Sequence, residues 1–375
     1  MSTTAGKELQ VGVIGLAHLH PRLYLPLFAA VPKTRVVAAM DPSAALRREF
    51  AAEFHLPVYA STRELLAAHP LDIAAIFLPH ADCPAAAEVC ARAGAHLMVE
   101  KPMAADAAGA ARIVRAARRH GVQLTTGYCW RLHPAAIEFK RQVRSGAIGR
   151  IVGAEGRCAA GRLQRYIEGR APWMLQRARS GGGPMYNLGV HWIDLFRWML
   201  EEDIVETAGC NVRVNRRHDI EDNSFAWMRF KGGAVASLNI SYTVPDAFPH
   251  GRDLYLAMRG TQGTITWAPA YEGQSDEIFL CSDHPDYRAA PRRHFRFELP
   301  PVNGYSGIMG LNYVRNFIAA VRGQETPAVR GEDGVAVLRV VEAIYRSARR
   351  RRWERVRHQA GERSAGRPAS GDTEQ

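Results

Sequence analysis

The sequence predicts an α/β chain: an N-terminal doubly wound domain, then an α+β domain with a mostly antiparallel sheet. Three observations predict it. Apolar runs alternate with small-residue helical stretches through the first ~128 residues, the pattern of a parallel sheet with helical crossovers. Strand-like segments then follow one another between residues 205 and 299 with short turns, as antiparallel neighbours do. The length of 375 residues, with 47% hydrophobic and 23% charged residues, suits two ordinary globular domains. The boundaries read as 8–129, 130–357 and a tail, 358–375, too poor in apolar residues to order itself.

Residues 10–16 form a strand ending in glycine, and 18–30 a helix. Strand 33–41 ends in Asp41. Helix 43–54 has Ser43 as N-cap. Strand 72–79, helix 85–93 closed by Gly94, a strand at 97–99, helix 106–120 behind Asp106 and strand 122–127 complete the first domain. Beyond it, 134–146 is helical, 151–157 a strand, 158–180 irregular and 184–200 a helix. Strands are expected at 207–214, 223–230, 234–244, 253–259, 263–268, 277–281 and 294–299, with Gly232-Gly233 as a hairpin turn. Helices 309–323 and 331–353 follow.

The net charge of +12 invites a nucleic-acid reading, yet residues 346–357 carry seven arginines against one glutamate, half of the excess. A basic terminal helix reads as a solvated end, so no nucleic-acid partner is expected. No apolar run reaches the ~18 residues of a membrane span. Six scattered cysteines without a Cys-x-x-Cys pair point to a reducing cytoplasm.

The strand at 97–99 ends in Glu100-Lys101-Pro102, where open α/β sheets place ligands. Side chains alternate, so Glu100 and Lys101 point to opposite faces. Lys101 is the better ligand-facing residue, because an ammonium can hold a hydroxyl that is losing its proton. The alternative is a solvated ion pair. Pro102 is a candidate cis peptide.

The first βα turn is Gly15-Leu16-Ala17-His18-Leu19-His20, which keeps the first glycine of the Gly-x-Gly-x-x-Gly dinucleotide turn and replaces the other two. Asp41 ends the next strand, where a carboxylate accepts from a ribose 2′-hydroxyl and repels a 2′-phosphate; that favours NAD over NADP. Asp41 reads equally as a turn residue before Pro42. His18 and His20 lack a third ligand nearby in sequence, so no metal is expected; they read as donors to backbone or cofactor phosphates.

Ser180-Gly-Gly-Gly reads as a flexible entry to a helix on which Asn187, His191 and Asp194 share one face. His191 can be a general base, with Asn187 orienting substrate or ring. Tyr128, Trp130, Arg131 and His133 lie at the domain junction, and Tyr166 and Trp173 in the irregular segment. Rings and arginine there suit a sugar-like ligand, or equally pack a hinge.

Together these motifs resemble the glucose–fructose oxidoreductase / inositol dehydrogenase / MocA family. The carrying segments are Glu100-Lys101-Pro102, Asp72–Pro79, Gly127–Pro134, Gly146–Gly149, Ser180 through His191 and Asp194, and Gly331–Gly334 with Glu342–Ser347, over roughly residues 8–350. The resemblance implies an NAD(P)-dependent enzyme moving a hydride between nicotinamide and a hydroxyl or keto carbon of a sugar, polyol or related ring alcohol. It makes Lys101 the residue holding the reacting oxygen and His191 the acid/base, with Asn187 where the family often has Asp. The implied cofactor contacts are Gly15, Leu16, Ala17, His18, His20, Asp41, Pro79, Glu100 and Lys101; the implied substrate contacts are Tyr128, Trp130, Arg131, Trp173, Asn187 and His191. It also implies an N-terminal Rossmann dinucleotide-binding domain, a C-terminal α+β domain with a large, mostly antiparallel open sheet, and a homodimer or homotetramer through that sheet. Other readings on the same fold are an NAD-dependent glycosidase with transient oxidation and a non-catalytic sugar or dinucleotide sensor.

Overall fold

The computed structural model describes residues 6–245, 247–248, 251–270 and 275–357. The expected tail, 358–375, lies outside them. The first part alternates strands and helices: β1 (Leu9–Ile14), α1 (Pro21–Ala29), β2 (Thr34–Met40), α2 (Ala44–Phe54), β3 (Val58–Tyr59), α3 (Thr62–Ala68), β4 (Ile73–Ile76), α4 (Cys83–Arg92), β5 (His96–Val99), α5 (Ala107–His120) and β6 (Leu124–Thr126). The helix starts are chemically specified. Ser43 accepts from the Leu46 amide, Ser61 from Glu64, and Asp106 from Gly109, each satisfying a donor that the first turn leaves open. The pair β3 and α3 is an addition to the sequence reading; two strand residues are too few to show a period.

These six strands form one parallel sheet ordered β3-β2-β1-β4-β5-β6. The order reverses between β1 and β4, so the crevice at their carboxyl ends is the expected ligand site. Gly15, Asp41 and Lys101 all sit at that edge, each just past the end of β1, β2 or β5.

The second part continues with α6 (Pro134–Arg144), β7 (Ile151–Ala160), α7 (Leu163–Glu168), α8 (Arg177–Ser180) and α9 (Val190–Leu200). Segment 158–180 therefore holds two short helices rather than being irregular throughout. Next come β8 (Ile204–Val212), β9 (Asn223–Phe230), β10 (Val235–Ser241), β11 (Arg252–Gly260), β12 (Gly263–Trp267), β13 (Asp276–Ser282) and β14 (Arg292–Phe297). The chain closes with α10 (Gly307–Val321), α11 (Gly331–Arg350) and β15 (Glu354–Arg355). The nine strands order as β14-β13-β12-β11-β7-β10-β9-β8-β15. Every pairing is antiparallel except β7 with β10. The Gly232-Gly233 turn joins the antiparallel β9 and β10, with Gly233 at φ +94°.

One face of this sheet packs on α9: a side chain at Gly156 of β7 would meet Trp192 and Phe196. Helix α10 leaves the large sheet and joins the core of the first one, where Val314, Phe317 and Ile318 cluster with Leu9, Val13, Tyr24 and Phe28. The other face of the large sheet keeps Phe225, Trp227 and Phe279 exposed.

Two expectations are corrected here. Residues 184–200 are not one regular α-helix, because Met185–Gly189 form a π-helical segment ahead of α9. Nor are the three glycines a flexible entry. Tyr345, Glu221 and Tyr186 pack so closely on Gly182 and Gly183 that any side chain there would collide.

Candidate active site

A cavity of about 810 Å³ lies between the two sheets. Its buried polar floor is made by Lys101, from the end of β5, with Asn187 and His191 from the π segment and α9. Lys101 Nζ donates to the Asn187 main-chain oxygen and to Asn187 Oδ1, both at 2.9 Å. An ammonium has three donors, so one remains for a ligand. Asn187 Nδ2 donates to the Tyr166 hydroxyl at 2.9 Å, which fixes the amide with Oδ1 toward Lys101. The π segment matters here: the Asn187 carbonyl is turned to accept from a side chain.

Burial, with the Lys101 charge second, holds the His191 pKa well below its ordinary value. The ring is neutral near pH 7 and can accept a proton. Its Nδ1 is buried with no hydrogen-bond partner. Burial also lowers the Lys101 pKa, and the Glu100 carboxylate opposes that shift.

Behind Lys101 lies a second buried group. His18, His20 and Glu100 bring one ligand-type atom each to within 4.8 Å of one another. His20 Nδ1 is 3.2 Å from Glu100 Oε2 but off hydrogen-bond geometry. The Glu100 oxygens and His18 Nε2 lack hydrogen-bond partners as well. His18 Nδ1 accepts from the His20 amide at 3.1 Å. In a neutral ring that acceptance puts the proton on Nε2, making it a donor rather than a metal ligand. Glu100 thus points away from the cavity that Lys101 lines and sits beside the histidines of the first βα turn. The Lys101–Pro102 bond is cis.

The first βα turn fits a dinucleotide at its first glycine. Gly15 has φ +94°, and a Cβ there would stand 2.7 Å from the Leu78 amide nitrogen. Asp41 shapes the same turn. Its two oxygens accept from the Leu16 amide at 2.7 Å and the Ser43 amide at 2.8 Å. The turn role of Asp41 is thus realised, with a buried carboxylate at the cofactor edge of the sheet. Pro79 is buried just beyond β4, and His80 beside it donates from Nδ1 to the Ser180 carbonyl at 2.8 Å. Burial pushes His80 down to about 4. His80 directly follows Pro79, and that adjacency was the signal available for it.

Three expected substrate contacts are placed elsewhere. Arg131 is gripped by both oxygens of Asp194, at 2.8 and 2.6 Å, and by Asp333 at 3.2 Å. Asp194 therefore turns from Asn187 and His191 to satisfy a buried guanidinium. Tyr128 is fully buried, with its ring edge-on to His191 at 6.1 Å, outside the cavity lining. Trp173 closes on the first βα turn, donating from Nε1 to the Ala17 carbonyl, with its ring 5.9 Å from His18. Trp130 does line the cavity, as does His133, whose Nε2 is 3.3 Å from Asp276 Oδ2. Sequence reading missed Arg165, Met174, Arg252 and the wall at 299–309 as cavity residues. Only folding gathers them.

Comparison with known proteins decides the family. Residues 9–128 match the model described as "Oxidoreductase family, NAD-binding Rossmann fold", and 140–356 match the "Oxidoreductase family, C-terminal alpha/beta domain". The chain belongs to the Gfo/Idh/MocA oxidoreductase family. Among its relatives is the levoglucosan dehydrogenase of Pseudarthrobacter phenanthrenivorans, 25% identical over 92% of this chain and 98% of that protein. The 1,5-anhydro-D-fructose reductase of Ensifer adhaerens is 27% identical over 84% of this chain and 88% of the other. Among solved structures, the aldose-aldose oxidoreductase of Caulobacter crescentus complexed with glycerol shares the fold at TM-score 0.76 and 24% identity. It aligns over 93% of this chain and 100% of its own. This Gfo/Idh/MocA protein is thus an oxidoreductase with an NAD-binding Rossmann domain. No helix among the described residues is long and apolar enough to cross a membrane.

Proposed function

We propose that this family member is an NAD-dependent sugar or polyol dehydrogenase whose reacting oxygen sits between Lys101 and His191. One observation carries the reading: a buried ammonium with a spare donor and a buried neutral imidazole line the same cavity. The named relatives act on sugars and anhydrosugars, which supports the substrate class.

The dinucleotide, when bound, supplies hydride acceptance. Everything else falls to the chain. Lys101 holds the hydroxyl oxygen and stabilises the negative charge that grows on it. His191 takes the hydroxyl proton on the ring nitrogen that carries none. Asn187 keeps Lys101 aimed and, being neutral, leaves its full positive charge for the substrate. Trp130 offers a ring face to the sugar's C–H groups. Gly15, Leu16, Ala17, His18, His20, Asp41, Pro79 and Glu100 would hold the dinucleotide. The buried Asp41 carboxylate supports NAD over NADP, since a 2′-phosphate there would meet a like charge. The exposed Trp227, Phe225 and Phe279 on the large sheet support a homodimer or homotetramer through that face, and six free cysteines fit a reducing cytoplasm.

The test is net NADH formation from a panel of sugars and polyols. A dehydrogenase accumulates NADH in step with substrate consumed. Glycoside cleavage without NADH accumulation would identify a recycling hydrolase instead. Dinucleotide binding without turnover over the whole panel would identify a sensor.

A further inference from the structure

The Asn187 amide ties two donors to the cavity, and the proposed reaction uses only one of them. An ammonium carries donors only, so the amide oxygen has to face Lys101, as it does at 2.9 Å. The amide nitrogen then faces the Tyr166 hydroxyl at 2.9 Å, where it can only donate. Tyr166 spends a lone pair on that bond and keeps its own hydrogen. Among the described residues none accepts that hydrogen. An aspartate at 187 would reverse the bond: a carboxylate has no hydrogen to give and would take the one on Tyr166.

Tyr166 is placed to use its hydrogen. It belongs to α7, lines the cavity together with Lys101, Asn187 and His191, and is 1% exposed. Its ring is held in an apolar cluster with Trp173, Met174 and Leu175, 5.1 Å from the Tyr242 ring. Burial pushes its pKa up, against the Arg165 charge and hydrogen bonds from Tyr242 and Asn187. The phenol is therefore neutral near pH 7, a donor rather than a base. A buried hydroxyl hydrogen without an acceptor is costly to keep, and an oxygen bound in the cavity would satisfy it.

We propose that Tyr166 is a substrate-binding residue, donating its hydroxyl hydrogen to the same oxygen that Lys101 holds. The two donors hang from the two ends of one amide and share the charge that grows on that oxygen. Tyr166 keeps its hydrogen throughout; the substrate's own hydroxyl proton goes to His191. The inference rests on the dehydrogenase reading for the growing charge, and not for the contact itself.

Two experiments on the full-length, NAD-loaded protein test it. The first is a double-mutant cycle on whichever sugar of the panel gives most NADH. Tyr166→Phe is expected to lower kcat about ten- to a hundredfold, with a smaller change in KM. In the Asn187→Asp background, where the hydrogen is already taken, the same substitution costs about twofold or less. A ring that only packs would cost the same in both backgrounds, and equal losses or a wild-type kcat for Tyr166→Phe would overturn the proposal. The second needs no turnover: a crystal structure of the NAD complex soaked in glycerol. A glycerol or water oxygen is expected within hydrogen-bond distance of both Lys101 Nζ and Tyr166 Oη. A Tyr166 hydroxyl that donates to a protein acceptor, with no shared oxygen, sinks the contact. The two readings separate. A shared oxygen without NADH from any sugar removes the dehydrogenase and keeps the donor pair. NADH with equal losses in both backgrounds does the reverse.

Discussion

Two buried charge clusters lie at the junction of the sheets, and they are built on opposite terms. In one, Arg131 spends its guanidinium on Asp194, Asp333 and the Ala328 carbonyl, and Arg197 donates to Asp203 at 2.8 Å. Every charge there has a hydrogen-bonded counterpart. In the other, Glu100, His18, His20 and His191 keep buried polar atoms with no hydrogen bond, and Lys101 keeps a donor in reserve. Satisfied buried charges cement one segment to another. Unsatisfied ones are costly to maintain and mark the place where a ligand completes the set.

Breaking the first cluster should cost stability. Arg131→Ala leaves Asp194 buried without its partner, an expected loss of about 3–5 kcal/mol in urea unfolding. A loss below about 1 kcal/mol would mean that the cluster is not the cement described. Breaking the second should cost rate. Lys101→Ala is expected to lower kcat by about a hundred- to a thousandfold while NAD still binds. Near-normal turnover on the true substrate would remove Lys101 from the reaction.

Acid should separate the clusters more gently. His18, His20 and His191 have folded pKa values well below the ordinary one, and His80 titrates at about 4. Burial is the leading cause in each. The unfolded chain takes up these protons near pH 6.5, whereas the folded chain does not. Stability therefore falls as pH drops below about 6.5, by about 1 kcal/mol for each such histidine at pH 5.5. A thermal midpoint that stays level from pH 7.5 to 5.5 would contradict that. The smallest expected effect is a shift in a pH profile. Burial lowers the Lys101 pKa and Glu100 holds it up, so Glu100→Gln lowers it further. The alkaline limb of kcat then moves to lower pH; an unmoved limb would show that Glu100 does not act on Lys101.

Much of the site was legible because it sits at strand and helix ends with their own sequence marks. Glu100-Lys101-Pro102 closes an apolar run, and Asn187 and His191 keep a four-residue spacing that brings both into the cavity. The same spacing logic failed for Asp194. Its direction is set by Arg131, 63 residues away in sequence, and a buried guanidinium outweighs a helical wheel. In the sequence Trp173 and Tyr128 suit a sugar contact and a packed hinge equally, because rings at a junction look alike whether they stack on a ligand or on a neighbour. The His18–His20–Glu100 group was hidden for a related reason: Glu100 lies eighty residues beyond His20 and joins it only through the parallel sheet.

The sequence by itself determined the doubly wound first domain, the sheet-rich second one, the strand-end lysine and the histidine on the later helix. Periodicity, caps and glycine turns are local, and local order needs only neighbours along the chain. The tertiary structure alone decided which charges became cement and which stayed open. It turned Asp194 away from His191, set Trp173 on the first βα turn and gathered Met174 and the wall at 299–309 into the cavity lining. Those outcomes depend on which partner reaches a buried charge first in space, and no window of sequence contains both members of the pair.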